Sequence, residues 1–340
     1  MTYETIILIP NYNGKEHLEE CFSSLLNQSY KKFKIILIDD ASTDDSIDYT
    51  RKRFPNINIL AFNKNQNFAK SINRGIRFSI EKFNPKYIAL LNNDTRVDKD
   101  WLKNLVKSIE SEKKIAAVAS NMILYSQQEI INSHGAKFNF LYGKDLNFLK
   151  KQNQIKEFPK EVLSSCFGAT LIKTECLNKI GLTDGRYTAY FEDLDWGWRA
   201  NIYGYKIIFE KDAIVYHKLG SSWKNRNLKK MYLCVRNSLC TVIKNYETLT
   251  MLAIMPLLGI YLFGFSIAYL IDVKVENNKI SRVYKEKTNF IKRLRYSIIP
   301  LKAIIWNMRN LKQSLKLRKE IQLKRKISDS KITKLFYLEL

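Results

Sequence analysis

The chain has 340 residues, 46% of them hydrophobic, and its 57 Lys and Arg outnumber its 33 Asp and Glu, giving a net charge of +24. This length exceeds that of a usual single domain and the apolar content supplies a sizeable core, so we expect one main domain and a separate C-terminal region. The five cysteines are odd in number and form no Cys-x-x-Cys pair, which argues against a zinc knuckle or a disulfide framework.

Short β-rich runs alternate with amphipathic stretches in the N-terminal part of the chain. The runs are Thr5–Ile9, Lys34–Ile38, Ile57–Phe62, Tyr87–Leu91 and Ile115–Ala119. Their alternation predicts an α/β fold with a doubly wound, mostly parallel sheet. The residues before the first run lack a basic leader, an apolar h-region and a small-residue cleavage site, so we expect this part to stay in the cytoplasm.

Polar residues follow the first two runs where each strand should end. Asn11 and Asn13 come after the first strand, and Asp40 ends the second. Because ligands bind at the carboxyl ends of strands in open α/β sheets, these residues indicate a crevice of nucleotide size. Their side chains offer hydrogen-bond partners for a base and a ribose, although Asn13-Gly14 alone is also an ordinary turn signal.

Two acidic segments suggest a cation site and a proton acceptor. Asp94 follows the apolar run Tyr87–Leu91, where a carboxylate is a natural metal contact, although a solvated turn Asp gives the same pattern. Farther on, Glu192, Asp193 and Asp195 mark the start of a predicted helix. The alternative is a helix N-terminus enriched in acids, with a surface pair between Asp195 and its i+4 neighbour.

The middle of the chain is less regular. Residues 121–163 are polar and are interpreted as a variable insertion before a strand over Ser164–Ile172. The helix after the second acidic segment should end at Gly204, and two strand-like runs, Lys206–Phe209 and Ala213–Tyr216, follow it. Of the three histidines, His17 and His134 have no identifiable partner and are expected to be structural, and His217 closes the last of these runs.

An apolar segment lies near the C-terminus. From Thr248 to Ile271 the chain has no charged residue in 24 positions, enough for a helix across about 30 Å of hydrocarbon. Pro256, Gly259 and Gly264 should interrupt that helix, and a single span would oppose the positive-inside tendency, so a re-entrant or in-plane segment is favoured over a true span. The other alternative is a buried hairpin of a soluble protein.

A basic region follows the apolar segment. From Lys274 onward there are 19 Lys and Arg against 5 acids, so more than half of the excess charge lies there. Such a region attracts nucleic acid or an anionic lipid surface by the same nonspecific electrostatics. The preceding apolar segment favours the membrane surface, and no nucleic acid is expected as a partner.

These motifs, in this order, resemble family 2 glycosyltransferases of the A-type fold, which are inverting enzymes that use nucleotide-diphospho-sugars. The resemblance covers roughly residues 4–245. It implies a catalytic domain over 1–245, a hydrophobic membrane segment over 246–273 and a basic helical tail over 274–340. Asn67 stands where the family's Asn-x-Gly-Phe-Ala stretch has Gly, and Asn92-Asn93-Asp94 resembles its Asp-x-Asp motif with Asn at the first acidic position.

The resemblance also assigns roles residue by residue. Asp193 would be the catalytic base, Asp94 and His217 would bind Mn²⁺ or Mg²⁺, and an Arg-Asn pair at 236–237 would contact the diphosphate unless it belongs to a solvated helix face. The acceptor pocket would contain Glu192, Asp195 and Trp196. The nucleotide would be bound by Pro10, Asn11, Tyr12, Asn13, Asp40, Asn65, Asn73 and Asn93.

The expected function is therefore a metal-dependent sugar transfer at the cytoplasmic face of a membrane. The donor would be UDP- or dTDP-linked, with dTDP-rhamnose favoured by the resemblance, and the acceptor lipid-linked or a polysaccharide. A processive polysaccharide synthase is a weaker alternative, because the Gln-x-x-Arg-Trp motif and the several spans of such enzymes do not occur. A nonenzymatic binder of anionic lipid or nucleic acid, led by the basic tail, is the alternative from another class.

Overall fold

The structure, a computed structural model, describes residues 3–139, 143–218, 228–271 and 290–335. Contacts divide the chain into two compact units. Of the described residues, 3–139, 143–218 and 324–335 form the first unit, and 228–271 and 290–323 form the second. The division differs from the expected boundaries at 245 and 273.

The first unit is built on a large sheet with helices on both faces. Its strands are β1 (Thr5–Asn11), β2 (Phe33–Asp39), β3 (Asn58–Ala61), β4 (Tyr87–Leu91), β5 (Thr95–Val97), β6 (Ile115–Leu124), β7 (Ile131–Ser133), β8 (Ala136–Phe138), β9 (Gly143–Asp145), β10 (Glu161–Val162), β11 (Ala169–Lys173) and β12 (Lys206–His217). The strand order is β10-β12-β6-β11-β4-β1-β2-β3, with β5 paired to β12 and β7 to β6. Strands β8 and β9 form a separate hairpin.

The α/β class predicted from the sequence is confirmed, and the sheet is mixed in direction. Strands β3, β2, β1 and β4 run parallel, as β6 and β12 do. Strand β11 lies between β4 and β6 and is antiparallel to both. The parallel half therefore brings the carboxyl ends of β1, β2 and β4 to one edge, where the sequence places its polar clusters.

Helices cover both faces of this sheet. In the first unit they are α1 (Lys15–Leu26), α2 (Ser46–Arg53), α3 (Phe68–Phe83), α4 (Trp101–Glu110), α5 (Thr174–Ile180), α6 (Glu192–Ile202) and α12 (Asp329–Ile332). Apolar residues of α1 and α4 pack in one core with Ile7 and Leu37 of the strands. On α3, a Cβ added at Gly75 would lie 2.2 Å from Ile38 Cδ1, so a glycine there lets α3 approach the other face closely.

The region interpreted as a variable insertion belongs to the sheet and its margin. Residues 121–124 extend β6, and β7 pairs with them. Strand β12 is continuous where two strands were predicted. Its register with β6 shifts between Glu210 and Ile214, so the charged residues there form an irregularity within one strand. The long strand ends at His217, beside β5.

The second unit is helical. Its helices are α7 (Leu228–Asn245), α8 (Thr248–Leu270), α9 (Phe290–Ser297), α10 (Ile299–Arg309) and α11 (Leu311–Leu323). Helices α10 and α11 pack against α7, which explains why the unit starts before the expected boundary at 245. Buried Arg318 of α11 donates to the carbonyl oxygens of Ile243 and Tyr246, both at 2.7 Å.

Helix α8 corrects the expectation of an interrupted apolar segment. It runs through Pro256 without a break over 23 residues, and only 17% of its most apolar window is buried. A proline removes one backbone donor, and here the helix continues past it. The low burial also excludes a core hairpin for this segment, and by length and composition α8 is long enough to cross a membrane.

The last described residues return to the first unit instead of forming a separate tail. The carbonyl oxygen of Ile202, at the end of α6, accepts hydrogen bonds from the N–H groups of Lys326 at 2.9 Å and Ile327 at 3.1 Å. Arg325 and Asp329 form a 3.1 Å ion pair with both side chains largely buried. These contacts satisfy an open carbonyl at the C-terminus of α6 and hold that helix from its far end.

Candidate active site

The ends of β1, β2 and β4 meet around Asn11. Its Nδ2 donates to Asp39 Oδ2 at 3.0 Å and to Ser42 Oγ at 3.2 Å, and its Oδ1 accepts from Asn93 Nδ2 at 2.7 Å. Asn11 is buried, and its amide is used to join the three strand ends. Asn11 and Asn93, predicted from sequence to share one site, are thus in direct contact.

In the loop after β1, one aromatic side chain is exposed and one side-chain amide accepts hydrogen bonds from a neighbouring loop. Pro10 lies in β1, and Tyr12 is 54% exposed at the edge. Asn13 has φ +51°, and its Oδ1 accepts the N–H groups of Thr43 at 2.7 Å and Asp44 at 3.3 Å. Asn13 therefore shapes the loop that follows β2, and Tyr12 is the exposed ring beside it.

Asp40 fixes the loop before α3. Its two carboxylate oxygens accept the N–H groups of Gln66 at 2.6 Å and Asn67 at 3.0 Å, and Asn65 Oδ1 also accepts from Asn67 N–H at 3.0 Å. Asn67 has φ +68° and ψ 158°, a conformation that glycine adopts with least strain. The backbone thus has a glycine-like form where the resemblance expects glycine. An ionised carboxylate has about four acceptor positions, so Asp40 can still accept another donor.

Asp94 and His217 are adjacent because β5 pairs with the end of β12. His217 Nε2 lies 3.1 Å from Asp94 Oδ1, and the N–H of Lys218 donates to the carbonyl oxygen of Asp94 at 2.9 Å. Burial raises the pKa of Asp94, but the hydrogen bond and charge of His217 outweigh it and hold that pKa below its usual value. The Asp94 carboxylate is therefore ionised at neutral pH.

The opposite nitrogen of His217 defines what this pair can hold. Its Nδ1 lies 2.8 Å from Asn132 Oδ1, an amide oxygen that only accepts, so Nδ1 carries the hydrogen. In a neutral ring, Nε2 then presents a lone pair to the Asp94 carboxylate. Either a second proton on the ring or a divalent cation removes the repulsion, and an imidazole nitrogen with a carboxylate oxygen is a donor set that can bind such a cation.

Two protein ligands leave most of a cation's coordination open. Among residues 3–139, 143–218, 228–271 and 290–335, no group of three or more His, Cys, Asp or Glu is placed to hold a metal ion. Mg²⁺ commonly binds through one or two carboxylates together with substrate phosphates and water. The pair of Asp94 and His217 is suited to an ion that arrives with a phosphate ligand.

A short loop before β11 connects this pair to the second acidic segment. The N–H of Asn92 donates to the carbonyl oxygen of Gly168 at 2.9 Å, next to the Asp94 turn. A Cβ at Gly168 would lie 3.0 Å from Asn92 Nδ2, so the backbones approach closely there. At the other end of the same loop, Ser164 Oγ donates to the carbonyl oxygen of Asp193 at 2.7 Å.

Asp193 lies in the first turn of α6. Its Oδ1 accepts the N–H of Leu194 at 2.7 Å, and its Oδ2 accepts the N–H of Phe167 at 3.4 Å. The helix lies close to the loop because of Gly197, where a Cβ would be 2.6 Å from the carbonyl oxygen of Leu163. The helix N-terminus favours a negative charge at this position.

The pKa of the Asp193 carboxyl is raised toward neutral pH. Burial raises the pKa of Asp193 to about 6, and the charge of Asp145 adds to the rise, against the N–H groups of Leu194 and Phe167. Asp193 as a whole residue is half-buried. A carboxylate with this pKa is ionised at pH 7 and more basic than an ordinary Asp.

The other acids of α6 lie in the interior. Glu192 is buried, and burial together with the charge of Asp193 raises the pKa of Glu192 well above its usual value. Asp195 is fully buried and pairs with Arg199 at 3.1 Å, so the predicted surface pair is a buried one. Trp196 is also fully buried, and its Nε1 donates to the carbonyl oxygen of Gly181. Asp195 and Trp196 thus support α6 and do not face an open pocket.

Three other residues that were given a role from the sequence are buried and hydrogen-bonded to neighbouring residues. Asn73 is buried, and its amide bonds the backbone and hydroxyl of Thr183. Arg236 and Asn237 lie in the second unit, buried and hydrogen-bonded to each other at 2.8 Å, so they do not form a solvated helix face. Trp223, in the same stretch of sequence, lies outside the described residues.

Two residues next to the site were not singled out from sequence. Asn132 orients His217, and Asp145 raises the pKa of Asp193. Both lie in the region interpreted as an insertion, on strands of three residues that have no readable period. His134, predicted to be structural, is buried with Nε2 3.1 Å from Asn121 Oδ1, and burial lowers its pKa to about 4.

Comparison of the sequence with protein families gives a match over most of the first unit. Residues 6–181 match the family described as "Glycosyl transferase family 2". Over 225 residues the chain is 26% identical to the poly-beta-1,6-N-acetyl-D-glucosamine synthase of Staphylococcus aureus (strain COL), covering 64% of this chain and 52% of the relative. The chain thus spans about half the length of the relatives it matches.

Solved structures give the fold. The mannosyltransferase PcManGT from Pyrobaculum calidifontis, in complex with GDP-Man and Mn²⁺, is similar with a TM-score of 0.54 at 14% identity, covering 91% of this chain and 88% of that one. GalNAc-T7 with UDP, GalNAc and Mn²⁺ has a TM-score of 0.58 at 16% identity, covering 90% and 57%. These similarities confirm the A-type fold expected from the sequence.

Proposed function

The chain belongs to glycosyltransferase family 2, and from that premise we propose that it catalyses an inverting transfer of a sugar from a nucleotide-diphospho-sugar to an acceptor hydroxyl. The observation that carries the proposal is the position of Asp193, a carboxylate with a raised pKa in the first turn of α6, which contacts the same loop before β11 as the residues next to Asp94 do. One base and one stabilised leaving group suffice for such a transfer.

In this reaction Asp193 accepts the proton of the acceptor hydroxyl as that oxygen attacks the sugar's anomeric carbon. The carbon–oxygen bond to the nucleoside diphosphate breaks on the opposite face, so no covalent enzyme intermediate is needed. The N–H groups of Leu194 and Phe167 hold the carboxylate in place before the transfer. A pKa near the working pH suits both accepting this proton and releasing it afterwards.

Asp94 and His217 would hold Mn²⁺ or Mg²⁺ together with the donor's diphosphate. The cation would neutralise the charge that develops on the departing diphosphate. Asn132 keeps the His217 ring oriented, with Nε2 toward Asp94. Two proteins of this fold were solved with Mn²⁺ and a nucleotide or nucleotide-sugar, GDP-Man in one and UDP in the other, which supports a divalent cation in the proposed reaction.

The nucleoside would lie at the ends of β1 and β2. Tyr12 is the exposed ring available to a base, and Asn11 and Asn13 hold the surrounding loops. We propose UDP or dTDP as the donor nucleotide, because a carboxylate such as Asp40 accepts the ring N3–H that uracil and thymine share. A dTDP-rhamnose donor is one member of the sugar panel to be tested.

Calorimetric titration of UDP, dTDP, GDP and ADP with Mn²⁺ tests this nucleotide pocket. Wild type should prefer the pyrimidines, and Asp40→Ala should lose about tenfold or more of that preference, since it removes a charged hydrogen-bond partner. Asn65→Ala is the matched control, because it removes a bond of the same loop and should weaken all four nucleotides alike. Tighter GDP binding by wild type would contradict the pocket. Hydrolysis of UDP- and dTDP-sugars, dTDP-rhamnose included, then identifies the sugar.

The acceptor would approach the N-terminus of α6. Next to Asp193, Glu192 is buried, and this burial favours the protonated form of its carboxyl. We propose that Asp195 and Trp196 act by holding α6 in position. The relative named for poly-beta-1,6-N-acetyl-D-glucosamine synthesis supports a polysaccharide or lipid-linked acceptor. Because the match covers about half of that relative, polymerisation itself is a second candidate. The length of the product in donor excess distinguishes the two functions. A single transfer extends the acceptor by one sugar, whereas polymerisation gives longer products.

We propose that α8 attaches the enzyme to the cytoplasmic face of a membrane. Exposed side chains on α8 include Leu252, Leu257 and Ile260, which are 59%, 59% and 69% exposed. The full chain should float with neutral phosphatidylcholine vesicles even in about 1 M salt, where the Debye length is only about 3 Å, because salt does not screen apolar insertion. Replacing these three residues with Asn should abolish flotation. Release of wild type by salt alone would show that α8 is not inserted.

A further inference from the structure

The second unit contains an open cavity of about 770 Å³ between α7 and the pair α9 and α10. Its lining includes Arg295, Lys302 and Arg309, which are spaced seven residues apart and are all exposed. Lys302 and Arg309 are about two turns and about 10 Å apart on one side of α10, and Arg295 lines the same cavity from α9. We call this cavity the basic groove.

The basic groove is strongly positive and lacks compensating acids. In 228–271 and 290–323, the described part of the second unit, only Glu247 and Glu320 are acidic, and neither lines the groove. Within those same ranges Arg295, Lys302 and Arg309 have no ion pair. With Lys229 of α7, four basic residues line the groove. Like charges that face one cavity repel each other unless an anion enters, so the groove favours an anionic ligand.

Apolar and aromatic side chains lie between the cations. Ile299, Ile305 and Trp306 line the same groove, one turn from the basic residues. The ring of Trp306 is held by a cation–π contact, since the guanidinium of buried Arg236 lies 4.4 Å from the ring centroid. The groove therefore offers a rigid apolar floor in addition to charge.

The surroundings of the groove are also apolar. On α10, Leu301 is 59% exposed and Met308 is 68% exposed, and Phe290 and Ile291 of α9 are both above 60%. A nucleic acid would leave these side chains in water, whereas a lipid bilayer would cover them. Tryptophan beside basic residues is also typical of the boundary between hydrocarbon and headgroups.

We propose that the basic groove binds the phosphate headgroup of an anionic membrane lipid, with the upper part of its hydrocarbon on Ile299, Ile305 and Trp306. Guanidinium groups bind phosphate oxygens through paired hydrogen bonds, which Arg295 and Arg309 supply. The inference rests on the membrane association proposed for this enzyme. It adds a defined site for the phosphate, distinct from general attraction to a charged surface.

Flotation of the full chain with three kinds of vesicle tests the site. The vesicles are phosphatidylcholine alone, phosphatidylcholine with phosphatidic acid, and phosphatidylcholine with oleate at the same surface charge. The groove variant is Arg295→Gln/Lys302→Gln/Arg309→Gln. Its matched control, Lys312→Gln/Lys316→Gln/Lys319→Gln, removes the same charge from exposed positions of α11 outside the groove.

Wild type should bind phosphatidic acid vesicles about tenfold more tightly than oleate vesicles, and the groove variant should lose that difference while the control retains it. An equal loss in both variants would mean general electrostatics and would overturn the site. Failure on neutral vesicles, with groove-dependent binding to phosphatidic acid, would instead refute insertion of α8 and leave the groove supported.

A second measurement does not depend on the triple variant. Quenching of Trp306 by lipids brominated near the headgroup is obtained as the difference between wild type and Trp306→Phe. Phosphatidic acid should increase this quenching about twofold relative to oleate, because the site would draw the lipid onto the ring. Equal quenching in the two vesicles, or saturation of the Trp306 signal by inorganic pyrophosphate without vesicles, would overturn a lipid site.

Discussion

Asp193→Asn is expected to reduce sugar transfer by on the order of 10² or more, with nucleotide binding close to that of wild type. Asn preserves the size of the side chain, and its single oxygen can still accept the 2.7 Å hydrogen bond from the N–H of Leu194, with only the longer 3.4 Å contact from Phe167 lost. It cannot accept the acceptor's proton, because an amide oxygen is far less basic than a carboxylate. Single-turnover transfer and calorimetric nucleotide titration, done on the same preparation, measure the two quantities separately.

The pH profile of wild type gives an independent check on the same residue. The base works in its ionised form, so kcat/KM should be flat above the Asp193 pKa of about 6 and fall as pH decreases through it. At one pH unit below that pKa, activity should be about tenfold below the plateau. Asp212→Asn, an exposed substitution of the same kind, should keep this profile. Near-normal transfer by Asp193→Asn would refute the assignment.

The strands around the site were predictable because their residues are apolar on both faces. Strands β1, β2 and β4 are formed by continuous Ile- and Leu-rich runs that a doubly covered sheet requires. Their ends were marked by Asn and Asp residues, and the fold brings Asn11 and Asn93 into contact from positions far apart in the chain. The local sequence pattern and the strand topology are sufficient to predict these strands and the polar residues at their ends.

Residues that act by orienting others were not predictable in the same way. Asn132 and Asp145 reach the site from three-residue strands, too short to show a period of two. Their roles depend on pairings with β6 and β8 that the local sequence does not specify. Both would have been found only by first recognising that residues 121–163 belong to the fold.

Burial is the other quantity that spacing did not reveal. The i, i+4 spacing of Asp195 and Arg199 predicted their ion pair but not its burial. The pair is buried because α5 and the residues after it cover Arg199, which donates to the carbonyl oxygens of Ile180 and Leu182. Breaking a buried pair leaves an unpaired charge, so this pair fixes α6 strongly. Asp193 depends on that support because it lies in the first turn of the same helix.

Asp94→Ala should abolish metal-supported donor binding, weakening the nucleotide at least about 100-fold in the presence of Mn²⁺. The change removes the ionised carboxylate from a pair that has one other protein ligand. His217→Ala should raise the Mn²⁺ concentration required by about 10- to 100-fold, since donor phosphates and Asp94 would still coordinate the ion. Calorimetric titration of UDP at several Mn²⁺ concentrations measures both effects without catalysis.

Two further variants show whether these effects belong to the cation. Asn132→Ala leaves both ligands in place but releases the His217 ring, so it should fall between wild type and His217→Ala in its Mn²⁺ requirement. Asp48→Ala removes an exposed carboxylate that pairs with Arg51 on α2, and its titration should match wild type. In the absence of metal, wild type and Asp94→Ala should bind UDP equally weakly. Unchanged Mn²⁺ titrations in both Asp94→Ala and His217→Ala would place the cation elsewhere, because no step of binding would then depend on either ligand.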